Sequence, residues 1–184
     1  MADNGESSYR RYLEGEDEAF GDIVSMHFKN LTYFVFRFVK DQMAAEDIAE
    51  DALLQLMIHK GRYNFKTSLK TYLYTIARNL SCNYLKKAAR EKRISLESAE
   101  AEIMQSQTSP DSELFESESK RALYNAIQKL PSEMQTAVYL VYFEDISYKD
   151  AAVIMKKSRK QIDNLLFRAK NELRSIIDWE GDMA

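Results

Sequence analysis

Apolar side chains recur every three or four residues along the first half of the chain, which is the spacing of an amphipathic α-helix. The pattern predicts one helix that begins near Asp17, one that begins after Asp41, and one that follows a short loop over 62–67. The pattern leaves open whether the first of these helices continues through Tyr33 or breaks before it. Gly61 is placed to end the second, since glycine readily adopts the left-handed conformation that terminates many helices.

Helical periodicity resumes near Ser119 and continues to Trp179, and start signals subdivide it. A serine followed three residues later by an acid or an amide is typical of a capping box, in which both side chains bind backbone amides at the start of a helix. Three such pairs occur, namely Ser132 with Gln135, Ser147 with Asp150, and Ser158 with Gln161. They predict a compact unit of four helices whose last two form a helix-turn-helix over 147–170.

The second helix of this predicted helix-turn-helix carries bases and amides on one side. Its packing face is supplied by Ile162, Leu165, Leu166 and Ala169. The side chains left facing outward are Arg159, Lys160, Gln161, Asn164, Arg168 and Lys170. An exposed helix that begins with Arg, Lys and Gln is suited to the major groove of DNA, because these side chains contact both phosphates and base edges.

Composition favours an all-α fold of two small helical domains joined by an acidic linker. The chain has 184 residues, only five Gly and two Pro, and 30% charged residues, and the alternation typical of strands is nearly absent. A basic cluster over 86–93 is followed by a stretch that is rich in Glu and lacks a strong apolar stripe. We therefore expect one domain over 9–93, an acidic linker over 94–118 and a second domain over 119–179.

Charge and residue counts exclude several classes of function. The formal net charge is -3, so nucleic-acid binding must depend on local clusters rather than on overall charge. Cys82 is the single cysteine, His27 and His59 are far apart in sequence, and no metal-binding or phosphate-binding motif occurs. No apolar run approaches the roughly 20 residues of a membrane span. We expect a cytoplasmic protein that is not an enzyme and uses no metal or cofactor.

The polar side of the third predicted helix mixes aromatic, amide and basic residues. These are Tyr72, Tyr74, Arg78, Asn79, Asn83, Lys86 and Lys87, and the loop before the helix adds Arg62, Tyr63, Asn64, Phe65 and Lys66. Aromatic rings beside cations suit single-stranded DNA, because unpaired bases stack on the rings and phosphates bind the cations. The alternative is a solvated amphipathic helix whose aromatic side chains pack inward, and spacing alone leaves both open.

The second predicted helix has an acidic side that includes one apolar residue. The side chains concerned are Glu46, Asp47, Glu50, Asp51, Leu54 and Gln55. Such a face suits a basic partner helix. The alternative is a solubilising cluster of acids near a helix N-terminus, where the helix dipole favours negative charge.

Four segments together resemble bacterial sigma factors of the extracytoplasmic-function (ECF) type. The segments AEDIAEDALLQLMIH over 45–59 and SLKTYLYTIARNLSCNYLKK over 68–87 are similar to two helices of sigma region 2. EGEDEAFGDIVSMHF over 14–28 is similar to the opening helix of the family, and LPSEMQTAVYLVYFEDISYKDAA over 130–152 is similar to the start of region 4. The region 2 segments precede the region 4 segment, as in the family, and an unmatched linker lies between them.

The resemblance implies that the chain joins core RNA polymerase, recognises promoters and directs transcription initiation. Region 2 would dock on the β′ coiled coil and capture the melted -10 element, whereas region 4 would contact the β flap and the duplex -35 element. An anti-sigma factor is a possible further partner. A stand-alone helix-turn-helix regulator is the alternative function.

Each of these roles is carried over to particular residues by their position in the matching segments. The residues implied in polymerase binding are Asp47, Glu50, Asp51, Leu54 and Gln55. Those implied at the -10 element are Arg62, Lys66, Tyr72, Arg78, Asn79, Asn83, Lys86 and Lys87. Those implied at the -35 element are Arg159, Lys160, Gln161, Asn164 and Arg168.

The chain departs from the family pattern at several positions. Met57 and Tyr72 stand where the family commonly has tryptophan, and Lys156 stands where the helix-turn-helix normally turns on glycine. A non-glycine residue at positive φ costs on the order of 1 kcal/mol. Within the recognition helix, Asp163 and Leu165 replace bases, and the QIDN pattern is closer to stationary-phase or sporulation sigma factors.

Overall fold

A computed structural model describes the backbone of residues 5–96 and 118–181, and the side chains of 5–91 and 122–177. Every regular element in these ranges is helical, which confirms the predicted all-α class. The chain divides into two compact units, one that contains the first four helices and one that contains the remainder. None of the described helices is both long enough and apolar enough to cross a membrane.

The first unit is built from α1 (Glu6–Leu13), α2 (Ala19–Val39), α3 (Gln42–Ile58) and α4 (Leu69–Leu96). Its core contains Ile23, Leu31, Phe34 and Val35 from α2, Ala45, Ala49, Ala52 and Leu56 from α3, and Leu69, Leu73 and Ala77 from α4. Small residues on α3 suit this position, because they let α2 and α4 approach its backbone closely. The break that the sequence left open before Tyr33 does not occur, and α2 continues to Val39.

Local signals fix the ends of these helices. The Oδ1 atom of Asp41 accepts the amide of Ala44 at 2.8 Å and so caps α3. Gly61, which was expected to end this helix, lies two residues beyond its C-cap His59 and has a φ of 89°. The short helix α1 was not predicted from the sequence, although Tyr9 and Tyr12 are buried there.

The second unit is built from α5 (Glu118–Lys129), α6 (Ser132–Val138), α7 (Tyr148–Met155) and α8 (Arg159–Gly181). One π-helical turn over Tyr139–Phe143 extends α6. The core of the unit contains Ile127, Leu130, Met134, Leu140, Ile154, Ile162 and Leu166. Of the predicted packing face of α8, Ile162, Leu166 and Ala169 are buried, and Leu165 is half-buried.

Two of the three predicted capping pairs form, and one is wrong. Ser158 and Gln161 bind each other reciprocally: the Ser158 amide donates to Gln161 Oε1 at 2.7 Å, and the Gln161 amide donates to Ser158 Oγ at 3.2 Å. Ser147 Oγ accepts the Asp150 amide at 3.1 Å. Ser132 caps nothing, because Pro131 occupies the N-cap position of α6 and its carbonyl accepts the Met134 and Gln135 amides.

The side chain of Gln135 has a different role from the predicted one. Its Nε2 atom donates to the carbonyls of Gln128 and Leu130 at 2.9 and 2.7 Å, so it satisfies the C-terminal end of α5. Most of the predicted acidic linker, over 97–117, lies outside the described residues, as does the side chain of Trp179. The domain boundaries 9–93 and 119–179 stay predictions.

Candidate nucleic-acid and protein interfaces

The turn between α7 and α8 is closed by the backbone and by one residue in the left-handed conformation. Lys156 has a φ of 53° and a ψ of 45°, as its place in the family pattern predicted. The Lys157 amide donates to the Ala152 carbonyl at 2.9 Å, which satisfies the end of α7. Lys157 Nζ also lies 2.8 Å from Glu133 Oε1 and ties the turn to α6. The first turn of α8 is thereby held against the unit.

The five residues that the sequence assigned to the -35 element are all exposed on α8. We call Arg159, Lys160, Gln161, Asn164 and Arg168 the α8 polar face. Lys160, Asn164 and Arg168 are spaced by four residues and so lie in one row, whereas Arg159 and Gln161 flank that row by about 100° on either side. Gln161 uses its Oε1 atom in the cap, so Nε2 is the part of its amide that the cap does not engage.

Sequence reasoning missed an aromatic residue within the α8 polar face. Phe167 is 66% exposed and lies three residues after Asn164, on the polar side of the helix. The helical register already contained this signal, because seven residues separate Phe167 from Lys160. An exposed ring at this position adds an apolar contact surface to the amides and cations around it.

Five residues of α4 form a second polar row. We call Tyr72, Asn79, Asn83, Lys86 and Lys87 the α4 polar row: Asn79 follows Tyr72 by seven residues, Asn83 follows Asn79 by four, and Lys86 and Lys87 follow Asn83 by three and four, which places them on one side of the helix. Tyr72 and Asn79 are half-buried, and the other three are exposed. Arg78 was predicted to act with them but is rotated by about 100° from Asn79. Arg78 therefore lies at the edge of the row, and its role stays a prediction.

The loop between α3 and α4 brings two more predicted residues to the start of this row. Arg62 and Lys66 are both exposed in the loop over 59–68, which we call the α3–α4 loop. Asn64 Oδ1 accepts the Lys66 amide at 3.1 Å, and Ser68 Oγ accepts the Thr71 amide at 3.1 Å to cap α4. The ring of Tyr72 lies 5.1 Å from that of Tyr63. Loop and helix therefore form one surface.

Two of the aromatic residues that the sequence placed on this surface are buried instead. Tyr74 has no exposed area, and its ring lies 4.8 Å from that of Phe34 in α2. The prediction was wrong because two residues along a helix correspond to about 200°, so Tyr74 faces away from Tyr72. Tyr63 is only 3% exposed. For these two residues, the alternative of inward packing is correct.

The predicted polymerase-binding residues share an exposed side of α3. Asp47, Glu50, Asp51, Leu54 and Gln55 are all exposed, and we call them the α3 acidic face. The sequence reasoning did not include Met43 and Ile58, which are 74% and 67% exposed at the two ends of the same side. Their spacing of four residues from Asp47 and from Leu54 was the available signal.

An apolar groove of about 390 Å³ borders the α3 acidic face. Its walls are Phe20, Val24 and Phe28 from α2 and Leu53, Leu54 and Met57 from α3, with Glu50 at the rim. The three α2 residues are spaced by four, as one face of a helix requires. A groove with apolar walls and acids along one edge fits an amphipathic helix that carries basic residues.

Comparison with known proteins supports both units. Residues 23–91 match the family model for sigma-70 region 2, and residues 120–173 match the model for sigma-70 region 4. The RNA polymerase sigma-H factor of Pseudomonas aeruginosa is 28% identical over 172 residues, which cover 89% of this chain and 88% of that protein. The ECF RNA polymerase sigma factor SigM of Bacillus subtilis is 27% identical over 155 residues, which cover 84% and 93% of the two chains.

Solved structures share the fold. The sigma factor RpoE, in complex with the anti-sigma factor NepR from Bartonella quintana, matches with a TM-score of 0.68 at 22% identity, over 88% of this chain and 98% of that one. CnrH, in complex with the cytosolic domain of CnrY, matches with a TM-score of 0.64 at 16% identity, over 96% and 98% of the two chains.

Two region models in the family's order and relatives that match along nearly their whole length define the class: the chain belongs to the sigma-70 family of RNA polymerase sigma factors. Within that family it is of the ECF type, and it acts in promoter recognition and transcription initiation. The alternative of a stand-alone helix-turn-helix regulator leaves the region 2 match unexplained. The relatives are sigma factors, which are not enzymes.

Proposed function

We propose that this sigma factor divides promoter recognition between its two units. The α8 polar face binds the duplex -35 element, the α3–α4 loop with the α4 polar row binds the melted -10 element, and the α3 acidic face binds the β′ coiled coil of core polymerase. The second unit also contacts the β flap. The protein works in the cytoplasm and has no catalytic activity of its own.

The observation that carries this proposal is the α8 polar face. A row of cations and amides lies outward on a capped helix that follows a tight turn from α7, which is how a recognition helix enters a major groove. Arg and Asn can each form two hydrogen bonds with a base edge, worth roughly 1–3 kcal/mol of discrimination per pair. The exposed ring of Phe167 suits contact with a thymine methyl group.

Arg168 and Arg174 provide a matched pair of variants on α8, since both are exposed arginines on one helix. We expect Arg168→Ala to weaken binding of the holoenzyme to a -35 duplex about tenfold, through loss of a specific contact. Arg174 lies almost two turns further along α8, so Arg174→Ala should weaken this binding much less. Fluorescence anisotropy with a labelled promoter measures both. Equal losses for the two variants would count against the assignment of Arg168.

Asn83 tests the assignment of the -10 element. Unpaired bases need stacking surfaces and hydrogen-bond partners, and Asn83 lies exposed between the half-buried Asn79 and the cations of the α4 polar row. Asn83→Ala should reduce permanganate reactivity of the -10 region in open complexes while leaving the affinity for core polymerase unchanged. Asn125→Ala, an exposed asparagine on α5, is the control. Unchanged reactivity in Asn83→Ala would remove this residue from the interface.

The α3 acidic face and the groove beside it support the docking assignment. Acids at the rim and apolar walls would be matched by a helix with basic and apolar residues. Asp51→Arg should weaken association with core polymerase and should reduce run-off transcription accordingly. Asp17→Arg, an exposed acid in the turn before α2, is the control for reversed charge. A normal pull-down of core polymerase by Asp51→Arg would exclude that residue.

An anti-sigma factor is a second class of partner that we propose for this chain. RpoE and CnrH, which share the fold, were solved with NepR and with the cytosolic domain of CnrY. The exposed Met43 and Ile58 enlarge the apolar area beside the acidic residues of α3. A partner that covers this side would compete with core polymerase. Competition in a pull-down between core polymerase and a candidate anti-sigma factor tests this proposal.

A further inference from the structure

Helix α1 packs on the α3–α4 loop, although it lies outside the segment that matches region 2. The ring of Tyr9 has no exposed area and lies 5.7 Å from the ring of Tyr63 and 6.1 Å from that of Phe65. Tyr63 and Phe65 in turn lie 4.6 Å apart. Three aromatic side chains therefore join the helix to the middle of the loop.

The hydroxyl of Tyr63 also links α1 to the loop, because it contacts Glu6 in the helix and Thr67 in the loop. The Tyr63 hydroxyl lies 3.0 Å from Glu6 Oε1 and 2.6 Å from the Thr67 carbonyl, and it can donate its single hydrogen to either acceptor. Burial raises the pKa of Tyr63, and the Glu6 carboxylate raises that pKa further. The hydroxyl therefore remains protonated and can act as a donor. Loss of Glu6 would remove one of the two anchors of this ring.

Phe65 has a backbone conformation that is disfavoured for a residue other than glycine. Its φ is 59°, in the left-handed region that disfavours side chains with a Cβ. The guanidinium of Arg10 lies 4.1 Å from the centre of its ring, on the side of α1. A strained backbone persists only where its surroundings hold it, and here α1 supplies part of those surroundings.

The N-cap residue of α1 packs closely against side chains of α2 and α4. Gly5 has a φ of 88°, and a Cβ at this position would lie 3.1 Å from His27 Nε2 and 3.2 Å from Leu69 Cδ2. Leu69 is the first residue of α4. The N-terminus of α1 therefore packs against the residue at which the loop ends.

We propose that α1 is a positioning element for recognition of the melted -10 element. The residues held by α1 alternate with the residues proposed to contact DNA: Arg62 precedes Tyr63, and Lys66 follows Phe65. Fixing the two rings fixes the backbone from which both cations extend. This inference rests on the proposed role of the α3–α4 loop, and it assigns Glu6, Tyr9 and Arg10 a role in positioning without contact to DNA.

Glu6 and Arg10 allow conservative tests, because neither is part of the apolar core. Glu6→Ala removes an acceptor from Tyr63, whereas Glu6→Gln keeps an oxygen at the same place. Arg10→Met keeps an apolar stem over Phe65 without the charge, whereas Arg10→Ala removes both. Arg11→Ala is the control: it removes a positive charge from the same helix, and its partners are Ser8, Glu16 and Asp22 rather than the loop.

Two measurements on the full chain separate positioning from direct contact. Hydrogen exchange of the amides over 62–67 reports the loop, and the affinity of reconstituted holoenzyme for a single-stranded -10 oligonucleotide reports recognition. We expect Glu6→Ala and Arg10→Ala to speed exchange and to lower affinity about fivefold, as one lost hydrogen bond or cation–π contact implies. Glu6→Gln and Arg11→Ala should stay close to the unchanged protein, whereas Arg10→Met should lie between the unchanged protein and Arg10→Ala, because it keeps the packing of the stem but loses the cation–π contact. Affinity for core polymerase should be unaltered throughout.

The outcomes that contradict the inference differ from those that contradict the proposed function. Unchanged exchange in Glu6→Ala and Arg10→Ala overturns the positioning role, and so does faster exchange with unchanged affinity. An equal loss of affinity in Arg10→Met and Arg10→Ala, with loop exchange unchanged in Arg10→Met, would show that Arg10 contacts phosphate directly, which also overturns its assigned role. If Arg62→Ala and Lys66→Ala keep full affinity for the oligonucleotide, the proposed function of the loop fails instead.

Discussion

Lys156 ends α7 and turns the chain toward α8, and it does so without the glycine that this conformation favours. Its φ of 53° places its backbone in the left-handed region. The family pattern identified the position in advance, and the structure confirms the conformation. The sequence alone does not predict the contacts that offset the cost of this conformation. These are the hydrogen bond from the Lys157 amide to the Ala152 carbonyl and the ion pair of Lys157 with Glu133.

Lys156→Gly should therefore stabilise the second unit by about 1 kcal/mol, because glycine adopts the left-handed conformation without the steric cost. Lys170→Gly is the matched control in the interior of α8, where the same change should destabilise by about 1 kcal/mol. Urea unfolding followed by the fluorescence of Trp179, the single tryptophan and part of α8, measures both. A lower midpoint for Lys156→Gly would contradict the strain assigned to this residue.

Gln135 shows how a correct local pattern can give a wrong assignment. Ser132 and Gln135 have the spacing of a capping box, yet Pro131 occupies the N-cap and Gln135 is largely buried against the end of α5. The same spacing at Ser158 and Gln161 does form the box. The difference lies in the neighbouring helix, since only the first pair has unpaired carbonyls of α5 within reach.

Gln135→Ala should cost about 1–3 kcal/mol of stability, because the carbonyls of Gln128 and Leu130 lose a buried donor. Ser132→Ala should cost less than about 0.5 kcal/mol, as expected for a surface position without a capping role. The same urea experiment measures both variants. A loss of about 1 kcal/mol in Ser132→Ala would instead indicate that Ser132 caps α6 in solution.

Among the elements, α4 was predicted in part and α1 was not predicted. The long apolar stripe of α4 fixes its inward side, so Asn83, Lys86 and Lys87 could be placed outward from spacing alone. Helix α1 has only eight residues, too few for an isolated helix to be stable, and its stability depends on the loop and helices against which it packs. The groove between α2 and α3 was equally inaccessible to sequence reasoning, because its walls come from two helices.

The cations of the α4 polar row should contribute mainly through phosphates, whereas its amides contribute through bases. Each phosphate contact with single-stranded DNA adds about 0.7 to the slope of log affinity against log salt. Lys86→Ala with Lys87→Ala should reduce that slope by about 1.4, for two contacts. Asn83→Ala should lower affinity and leave the slope unchanged, and Lys29→Ala on α2 should change neither. A slope that is insensitive to the double variant would remove both lysines from the interface.

At the scale of the molecule, binding strength has to come from joining two weak contacts. The net charge of -3 gives no general attraction to DNA, so attraction depends on local clusters such as the α4 polar row and the α8 polar face. The chain folds into two compact units. Under the proposed division of contacts, core polymerase binds both units, and the second contact then forms at the effective concentration set by the connecting segment.

Doubling the predicted linker over 94–118 with Gly and Ser residues should therefore weaken association with core polymerase about threefold, since effective concentration falls roughly as the -3/2 power of length. Exchange of the Asp and Glu residues of this segment for Asn and Gln, at unchanged length, removes the acidic charge alone and serves as the control. Titration of each variant into labelled core polymerase measures the affinity. If the lengthened chain binds as tightly as the original, one unit carries the whole affinity. A loss in the same-length replacement would instead show that the acidic residues themselves contact the enzyme.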